Sequence, residues 1–487
     1  MSSNEGAVGR NVKKAGAIGK GLAKRTSARQ DATAALRKHA VMSKRRAPNL
    51  DASLEPASSP QVSPEEVPAL VAACRAEGGK AVSVALVALR RALSGEEEAA
   101  AEVAVASGVV DVLNAALAGS CAQNQVEAAQ VLANLASWSY ACTEAALPAA
   151  PLLIQRMEGG SARMQAHCIL AIGNMAGDTT FDTSLRDRMR ANGALLPVVR
   201  ALRSTSPDVA RTAAWALANL IRGPDPRLQE VFATDGAGAT LISLLLRPAP
   251  PDEITVEALW ALSLMTHGQP GFQREVVESG GAARCVDLLQ EGGGEARVPA
   301  LRVIGNLAAG DDALSDALLS LPALLPTLGA FLAEEQHRAL RKESAWTLGN
   351  LCAGTPAHRE AVVSSGIPAA LLHVLQTAHF DIRREAAYAF FHLVHDPAVA
   401  PRLLTREVAS EFVGLLRAPD PQLVEAAVQV VAQVLAQMPG GARLIEELDG
   451  IDALERLTFS DGVAPSVAQY AAGLVDRYYG EDAPPYD

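Results

Sequence analysis

The sequence predicts an all-α protein built from a tandem repeat, and three observations support this fold class. Hydrophobic residues make up 49% of the 487 residues, but aromatic residues make up only 4%. Ala and Leu therefore supply most of the apolar content, which favours helices over strands. Two different sequence markers also recur along the chain at the same spacing. A chain of this length is too long for one hydrophobic core, so an extended array of repeats accounts for it well.

The first marker is an Ala- and Leu-rich stretch that contains an Asn or its replacement. "RTAAWALANLIRG" surrounds Asn219 and "ESAWTLGNLCAG" surrounds Asn350. Their composition predicts a helix in each copy. The equivalent positions are residues 134, 174, 219, 264, 306, 350 and 392, at intervals of 40, 45, 45, 42, 44 and 42 residues.

The second marker is a short Gly turn before a Leu- and Val-rich stretch, as in "ASGVVDVLNAAL", "SSGIPAALLHVL" and "LDGIDALERL". Gly in such a turn supplies the positive φ that joins two short helices. A period of this length is typical of armadillo or HEAT repeats, each a unit of two or three helices. The sequence therefore predicts a right-handed superhelical solenoid of about ten armadillo repeats, in which the last helix of each repeat lines a concave face.

Tryptophan recurs at one phase of the repeat, at Trp215, Trp260 and Trp346. Trp346 and Asn350 are four residues apart, so they share one face of their helix. These residues either fill the core or form a surface ladder, and their regular phase favours the ladder. Asn amides bind the backbone of an extended peptide, and indole faces hold the stems of Lys or Arg side chains.

Acidic side chains near the Trp–Asn positions are either solvated or placed to select a basic head group. The candidates are Asp178, Asp311, Asp312, Glu343 and Glu385. Since residues 51–487 carry a net charge of −21, a basic ligand is favoured.

The first 50 residues form a basic arm with a net charge of +10. We expect the arm to span residues 1–50, a Pro- and Ser-rich linker 51–65, the repeats 66–480 and an acidic tail 481–487. Such an arm binds nucleic acid, an acidic protein or the acidic body of its own chain. Nucleic acid is the weakest of these alternatives, because the acidic body would repel phosphates.

Motifs of enzymes and cofactor sites are not evident in the sequence. It lacks a GxxxxGK[ST] phosphate loop, a GxSxG nucleophile turn and an HExxH zinc motif. His392 and His395 are three residues apart but have no further ligands at zinc spacing. The six cysteines contain no CxxC pair and are expected to be reduced core thiols. We expect no enzymatic activity, no cofactor, no metal and no membrane span.

Several stretches of the sequence resemble the importin-alpha family, in particular a divergent plant-type member. "FDIRREAAYAFFHL", "PALRVIGNLAAGDD" and "GNMAGD" are similar to motifs of its armadillo repeats, and "ARQDATAALRKHAVMSKRRAPNL" resembles its importin-beta-binding segment. The resemblance implies a nuclear import adaptor that shuttles between cytoplasm and nucleus. The partners it implies are importin-beta, proteins with basic nuclear localisation signals, and an export receptor for recycling.

The resemblance also implies particular site residues. A major groove for cargo peptides would use Asn134, Thr143, Asn174, Asp178, Trp215 and Asn219. A minor groove would use Arg302, Asn306, Glu343, Trp346, Asn350, Glu385, Tyr388 and His392. The arm would bind importin-beta and occupy the cargo groove through Arg25, Arg29, Arg37, Lys38, Lys44, Arg45 and Arg46.

The sequence departs from the family pattern at positions that matter for peptide binding. Gln130 and Leu170 stand where the family has Trp, and Trp138 stands where it has Gly. Tyr388 and His392 replace the Trp and Asn of the eighth repeat. These departures predict weaker slots in the major groove. An armadillo scaffold that binds another basic or extended peptide, without a role in import, is the alternative function.

Overall fold

A computed structural model describes residues 62–75, 79–94, 98–177, 184–248, 252–291, 294–460 and 462–481. The basic arm lies outside these ranges, as does Asp178. The predictions made for Arg25, Arg29, Arg37, Lys38, Lys44, Arg45 and Arg46 therefore lie outside the described residues.

The described residues form helices joined by short turns, and no strand occurs among them. One helix per repeat carries the recurring Trp and Asn positions, and we call these the ladder helices. They are α1 (Gly79–Ser94), α2 (Ala122–Leu135), α3 (Ala162–Gly177), α4 (Pro207–Leu220), α5 (Glu253–Met265), α6 (Arg297–Ala308), α7 (Arg338–Cys352), α8 (Phe380–Val394), α9 (Pro421–Gln437) and α10 (Pro465–Tyr479).

Two shorter helices precede each ladder helix from α2 onward. The first helices are Glu98–Ala106, Tyr140–Ala146, Ser184–Ala191, Leu228–Phe232, Pro270–Glu278, Asp312–Leu319, Pro356–Ser364, Ala400–Leu403 and Gly441–Glu447. The second helices are Val109–Ala118, Ala150–Met157, Leu195–Ala201, Ala237–Leu245, Gly281–Gln290, Leu324–Ala333, Ile367–Thr377, Arg406–Leu415 and Gly450–Thr458. Val67–Ala73 precedes α1, and 3-10 turns lie at Pro64–Glu66 and Leu147–Ala149. The prediction of an all-α fold of about ten repeats is confirmed.

The chain divides into two compact units, Met1–Met265 and Thr266–Asp487. In the first unit the ladder helices α1 to α5 pack side by side in chain order, and in the second unit α6 to α10 do the same. From α2 onward, each ladder helix also packs on the second helix of its own repeat. Ladder helices are thus covered on several sides, which explains why α3 is apolar around almost its whole circumference.

Glycine occupies the turn between the first and second helix where the backbone needs a positive φ. Gly108, Gly193 and Gly366 have φ of 75°, 86° and 80°, as the sequence predicts. The prediction is wrong for "LDGIDALERL": Asp449 takes the left-handed conformation at φ 57°. Gly450 instead begins the next helix. Glycine suits this position because a Cβ there would lie 2.5 Å from Cγ2 of Ile445.

The cysteines are more varied than expected. Cys142, Cys168, Cys285 and Cys352 are buried, and burial raises the pKa of the Cys168 thiol to about 12. The expectation of a core thiol is wrong for Cys121, which is exposed because it precedes α2 as its N-cap residue.

Within the described ranges, no single helix is long and apolar enough to cross a membrane. Two pairs of consecutive helices are long and apolar enough when taken together, but each pair is sharply bent. The angle is 78° between Glu98–Ala106 and Val109–Ala118, and 84° between Asp312–Leu319 and Leu324–Ala333.

Candidate peptide-binding site

Trp215 and Asn219 on α4 both contact one glycine of the preceding ladder helix. The half-buried indole of Trp215 covers Gly173 so closely that a Cβ there would lie 2.2 Å from its Cζ3. Asn219 Nδ2 donates to the Gly173 carbonyl oxygen at 3.1 Å. Both side chains therefore contact the α3 backbone at Gly173, where no side chain intervenes.

The second unit repeats this arrangement with different residues. The half-buried indole of Trp346 on α7 covers Gly305 on α6, where a Cβ would lie 2.0 Å from Cζ3 of Trp346. Asn350 Nδ2 donates to the Gly305 carbonyl oxygen at 3.0 Å. We call these two sets, Gly173/Trp215/Asn219 and Gly305/Trp346/Asn350, the Gly–Trp–Asn sets.

Asn residues without a neighbouring Trp also link adjacent ladder helices. Asn174 Nδ2 donates to the Ala133 carbonyl at 2.8 Å, and Asn134 Nδ2 donates to the Arg90 carbonyl at 3.3 Å. Asn306 differs, since its Nδ2 donates to the Thr266 hydroxyl at 3.1 Å. At positions 134, 174, 219 and 350 the recurring Asn thus has a structural task, because it satisfies a backbone carbonyl of the preceding repeat.

Asn219 still has hydrogen-bonding capacity after it makes this link. An Asn side chain offers two donors and one acceptor oxygen. The residue is only 1% exposed, and its Oδ1 accepts no hydrogen bond from the part of the chain that the structure describes. A buried acceptor of this kind is costly unless a partner satisfies it.

Gln130 and Leu170, which stand at Trp positions of the first unit, are more buried than the indoles of the Gly–Trp–Asn sets. Gln130 on α2 and Leu170 on α3 are 3% and 7% exposed, so neither projects an open wall. Trp138, in the turn after α2, is half-buried, and its Nε1–H donates to the Leu93 carbonyl of α1 at 3.1 Å. It lies one turn beyond Asn134 on the side that faces α1.

Thr143 is a correction to the expected major groove. Its side chain is 0% exposed, and its hydroxyl donates to the carbonyl oxygens of Ala136 and Ser139 at 3.1 and 3.0 Å. These bonds join the first helix of the third repeat to the end of α2, so Thr143 is not available to a peptide.

Two acidic candidates of the second unit, Glu343 and Glu385, already have cationic partners. Glu343 on α7 is 3% exposed and accepts from Arg302 Nη2 of α6 at 2.9 Å. Glu385 on α8 accepts from the adjacent Arg384 at 3.1 Å. A peptide cation would therefore share or replace these arginines.

Asp311 is the N-cap residue of Asp312–Leu319. Its carboxylate accepts from the Leu314 amide, and it pairs with Arg274 at 2.8 Å. The Arg274 hydrogen bond lowers its pKa further than the amide does.

Glu127 on α2 is an acid that the sequence analysis missed. It is 2% exposed and accepts from Arg90 Nε of α1 at 2.9 Å. Its phase could have identified it, because Glu127 precedes Asn134 by seven residues, as Glu343 precedes Asn350. Both acids accept from an arginine on the preceding ladder helix, so each unit contains this ionic link.

The eighth repeat places Tyr388 and His392 on α8, both half-buried. Burial lowers the pKa of His392 to about 3, and the charges of His395 and Arg359 add to this effect. His392 is therefore neutral near pH 7, and a neutral imidazole offers one donor and one acceptor, much as an amide does. Groups of three or more metal-binding side chains do not occur in the described ranges.

Comparison with known proteins supports the fold and identifies the family. The family model for the armadillo/beta-catenin-like repeat matches residues 182–222. A solved structure of an engineered protein covers 84% of this chain and 98% of its own, with a TM-score of 0.74 and 24% identity, which supports the fold alone.

Two curated plant proteins are similar over most of their length. Importin subunit alpha-9 of Arabidopsis thaliana is 32% identical over 82% of this chain and 79% of its own. Importin subunit alpha-2 of Oryza sativa subsp. japonica is 33% identical over 82% of this chain and 78% of its own. The chain is an armadillo-repeat protein that belongs to the importin-alpha family.

Proposed function

We propose that this protein is a nuclear import adaptor whose ladder helices bind Lys- and Arg-rich localisation signals. Its basic arm would link the cargo to importin-beta, and an export receptor would return it to the cytoplasm. Under this proposal it is a binding protein that shuttles between cytoplasm and nucleus and has no enzymatic activity of its own.

The observation that carries the proposal is the pair of Gly–Trp–Asn sets, one in each unit. Each set presents a half-buried indole on a ladder helix, and in the second set the amide of Asn350 beside it is also half-buried, whereas Asn219 is buried. An indole face stabilises a Lys or Arg side chain by about 0.5–2 kcal/mol. An amide binds peptide backbone without reading its sequence, so the combination suits basic peptides of varied sequence.

Charge supports a cationic ligand as well. Residues 51–487 carry a net charge of −21, and residues 1–50 carry +10. A body of this charge attracts cationic peptides over a distance of about one Debye length, ~8 Å at physiological salt. The same charge would attract the arm, so we infer that Lys44, Arg45 and Arg46 compete with cargo.

The division between the two grooves is part of the proposal. Trp215 and Trp346 each lie over a glycine, whereas Gln130 and Leu170 are buried and offer no indole. The two units would therefore contribute more evenly to peptide binding than in a family member with a full row of indoles.

A co-purification assay with importin-beta tests the import role. The full chain, a chain without residues 1–60, and a full chain with Arg25, Arg29, Arg37 and Lys38 changed to Ala are compared at low salt. We expect importin-beta to co-purify with the unsubstituted full chain and with neither of the other two proteins. If the full chain binds basic peptides but never importin-beta, it is an armadillo scaffold for another basic partner and the import proposal fails.

A further inference from the structure

Gly173 and Gly305 lie at equivalent places, each one residue before a recurring Asn on its ladder helix. A side chain at either place would overlap the indole from the next ladder helix. The built Cβ lies 2.2 and 2.8 Å from Cζ3 and Cε3 of Trp215 at Gly173, and 2.0 and 2.6 Å from the same atoms of Trp346 at Gly305. Cβ atoms do not approach ring carbons this closely, so the indole would have to move.

The carbonyl oxygen of the same glycine accepts a hydrogen bond from the same neighbouring ladder helix. Asn219 and Asn350 donate to Gly173 and Gly305 at 3.1 and 3.0 Å. The amide and the indole, four residues apart on one helix, thus meet a single residue of the preceding helix. The two contacts together fix how one ladder helix is aligned along the next.

A third glycine of the same kind lacks this contact. Gly349 precedes Asn350 on α7, and Tyr388 stands at the Trp position of the next ladder helix. A Cβ at Gly349 would meet only the Ala389 nitrogen at 3.8 Å and the Glu385 oxygen at 3.9 Å. These are ordinary van der Waals distances, so the tight approach belongs to the two tryptophans and does not follow from glycine at this phase alone.

We propose that Gly173 and Gly305 are positioning residues for the peptide site, because they set the depth at which the indoles of Trp215 and Trp346 lie. A methyl group at either position raises the indole from the backbone and changes the slot beside it. This inference rests on the proposed function for its effect on peptide binding, but not for its effect on the indole.

Fluorine NMR separates the two effects. The chain has four tryptophans, so 5-fluorotryptophan labelling gives four signals that single Trp variants assign. Gly173→Ala is expected to shift the Trp215 signal and leave the Trp346 signal in place, and Gly305→Ala to do the reverse. Gly349→Ala, the matched control, is expected to leave both in place. Unchanged Trp215 and Trp346 signals in the respective Gly→Ala variants would overturn the proposal.

Peptide affinity is measured on the same full-length variants with a Lys-rich peptide. Gly173→Ala is expected to weaken binding by about two- to thirtyfold, the range of a lost cation–π contact, and Gly349→Ala to leave it unchanged. If Trp215→Ala and Trp346→Ala do not weaken binding while the signals still shift, the proposed function fails and the positioning role stands.

A double-mutant cycle with Trp215→Leu distinguishes overlap with the indole from a general loss of stability. With Trp215→Leu the room above Gly173 is larger, and the nearest remaining neighbour of a Cβ is the Ala216 methyl at 3.0 Å. Gly173→Ala is therefore expected to cost less affinity and stability in that background than in the wild type, with a remaining cost from the Ala216 methyl. If Gly173→Ala alone does not fold, recovery of folding by Trp215→Leu supports the overlap. An equal cost in both backgrounds would contradict it.

Discussion

At the scale of single residues, the Trp and Asn of the ladder have two tasks. Asn350 satisfies a backbone carbonyl of the preceding helix, and Trp346 covers the glycine that carries it. The position of Asn350 beside Trp346 is therefore explained by packing between ladder helices, without any ligand. Under the proposed function, a peptide would contact the exposed part of an indole that already packs between the repeats.

Loss of either indole is expected to weaken peptide binding to a similar degree. Trp346→Ala should cost at least as much affinity for a Lys-rich peptide as Trp215→Ala, because the first unit lacks indoles at positions 130 and 170. Each variant should lose about 0.5–2 kcal/mol per bound lysine. Calorimetric titration of both variants checks this, and a loss confined to Trp215→Ala would show that the first unit dominates.

The ion pair between Arg302 and Glu343 should contribute strongly to stability. Glu343 is 3% exposed, so removing its described cation leaves a buried carboxylate with fewer compensating contacts. Arg302→Gln is expected to lower the free energy of unfolding by about 2–4 kcal/mol, less than for a fully buried pair because Arg302 is partly exposed. Urea unfolding measures the change.

An exposed pair provides the matched control. Arg402 and Glu360 form an ion pair of 2.8 Å in which both side chains are 49% exposed. Arg402→Gln is expected to change stability by less than about 1 kcal/mol. Equal losses in the two variants would mean that burial does not set the strength of these links between repeats.

At the scale of elements, α8 should make the second unit sensitive to acid. The folded-state pKa of His392 is about 3, below the ordinary 6.5, chiefly because of burial. The unfolded chain therefore binds the proton more readily, and stability falls as the pH drops from about 6.5 towards 3. This loss amounts to at most about 1.4 kcal/mol per pH unit.

His392→Asn should reduce that acid sensitivity. The variant is expected to lose less stability than the wild type between pH 7.5 and pH 5, measured by thermal unfolding of the full chain. His395 and Asp396 remain in both proteins, and because the charge of His395 lowers the pKa of His392, the difference reports this coupled pair of imidazoles. His373→Asn, which removes a 52% exposed imidazole, is the control. Parallel pH profiles for His392→Asn and the wild type would contradict the assignment.

The elements were predictable from the sequence because repetition strengthens a weak local signal. Gly108, Gly193 and Gly366 mark turns at the expected phase, and the ladder helices follow them. Contacts between repeats were harder to predict. Arg302 meets Glu343 across 41 residues, and no local pattern indicates that the acid is already paired. Thr143 was misassigned because its burial depends on how its short helix packs.

Some missed features did leave a trace in the sequence. Glu127 shares its phase with Glu343, and Gly173 and Gly305 share theirs one residue before an Asn. A residue-by-residue comparison of repeats would have found the three that were missed, Glu127, Gly173 and Gly305. That Asp449 takes the left-handed conformation in place of Gly450 could not be found in this way, because the sequence motif marks the glycine and not the residue before it.

At the scale of the whole molecule, the charges of the arm and body predict competition within one chain. The arm carries +10, the rest of the chain −21, and the linker between them is rich in Pro and Ser. A tethered competitor of this kind has an effective concentration of about a millimolar. We therefore expect Lys44, Arg45 and Arg46 to reduce the apparent affinity for cargo until importin-beta binds the arm.

The most direct measurement is the binding of a fluorescent Lys- and Arg-rich localisation peptide to three proteins. These are the full chain, the chain without residues 1–60, and that shorter chain with both Trp215→Ala and Trp346→Ala. We predict that removing the arm tightens binding at least tenfold and that the double variant loses most of the binding. Equal affinities for all three proteins, or no binding by any of them, would contradict the assignment of the ladder as a site for basic peptides.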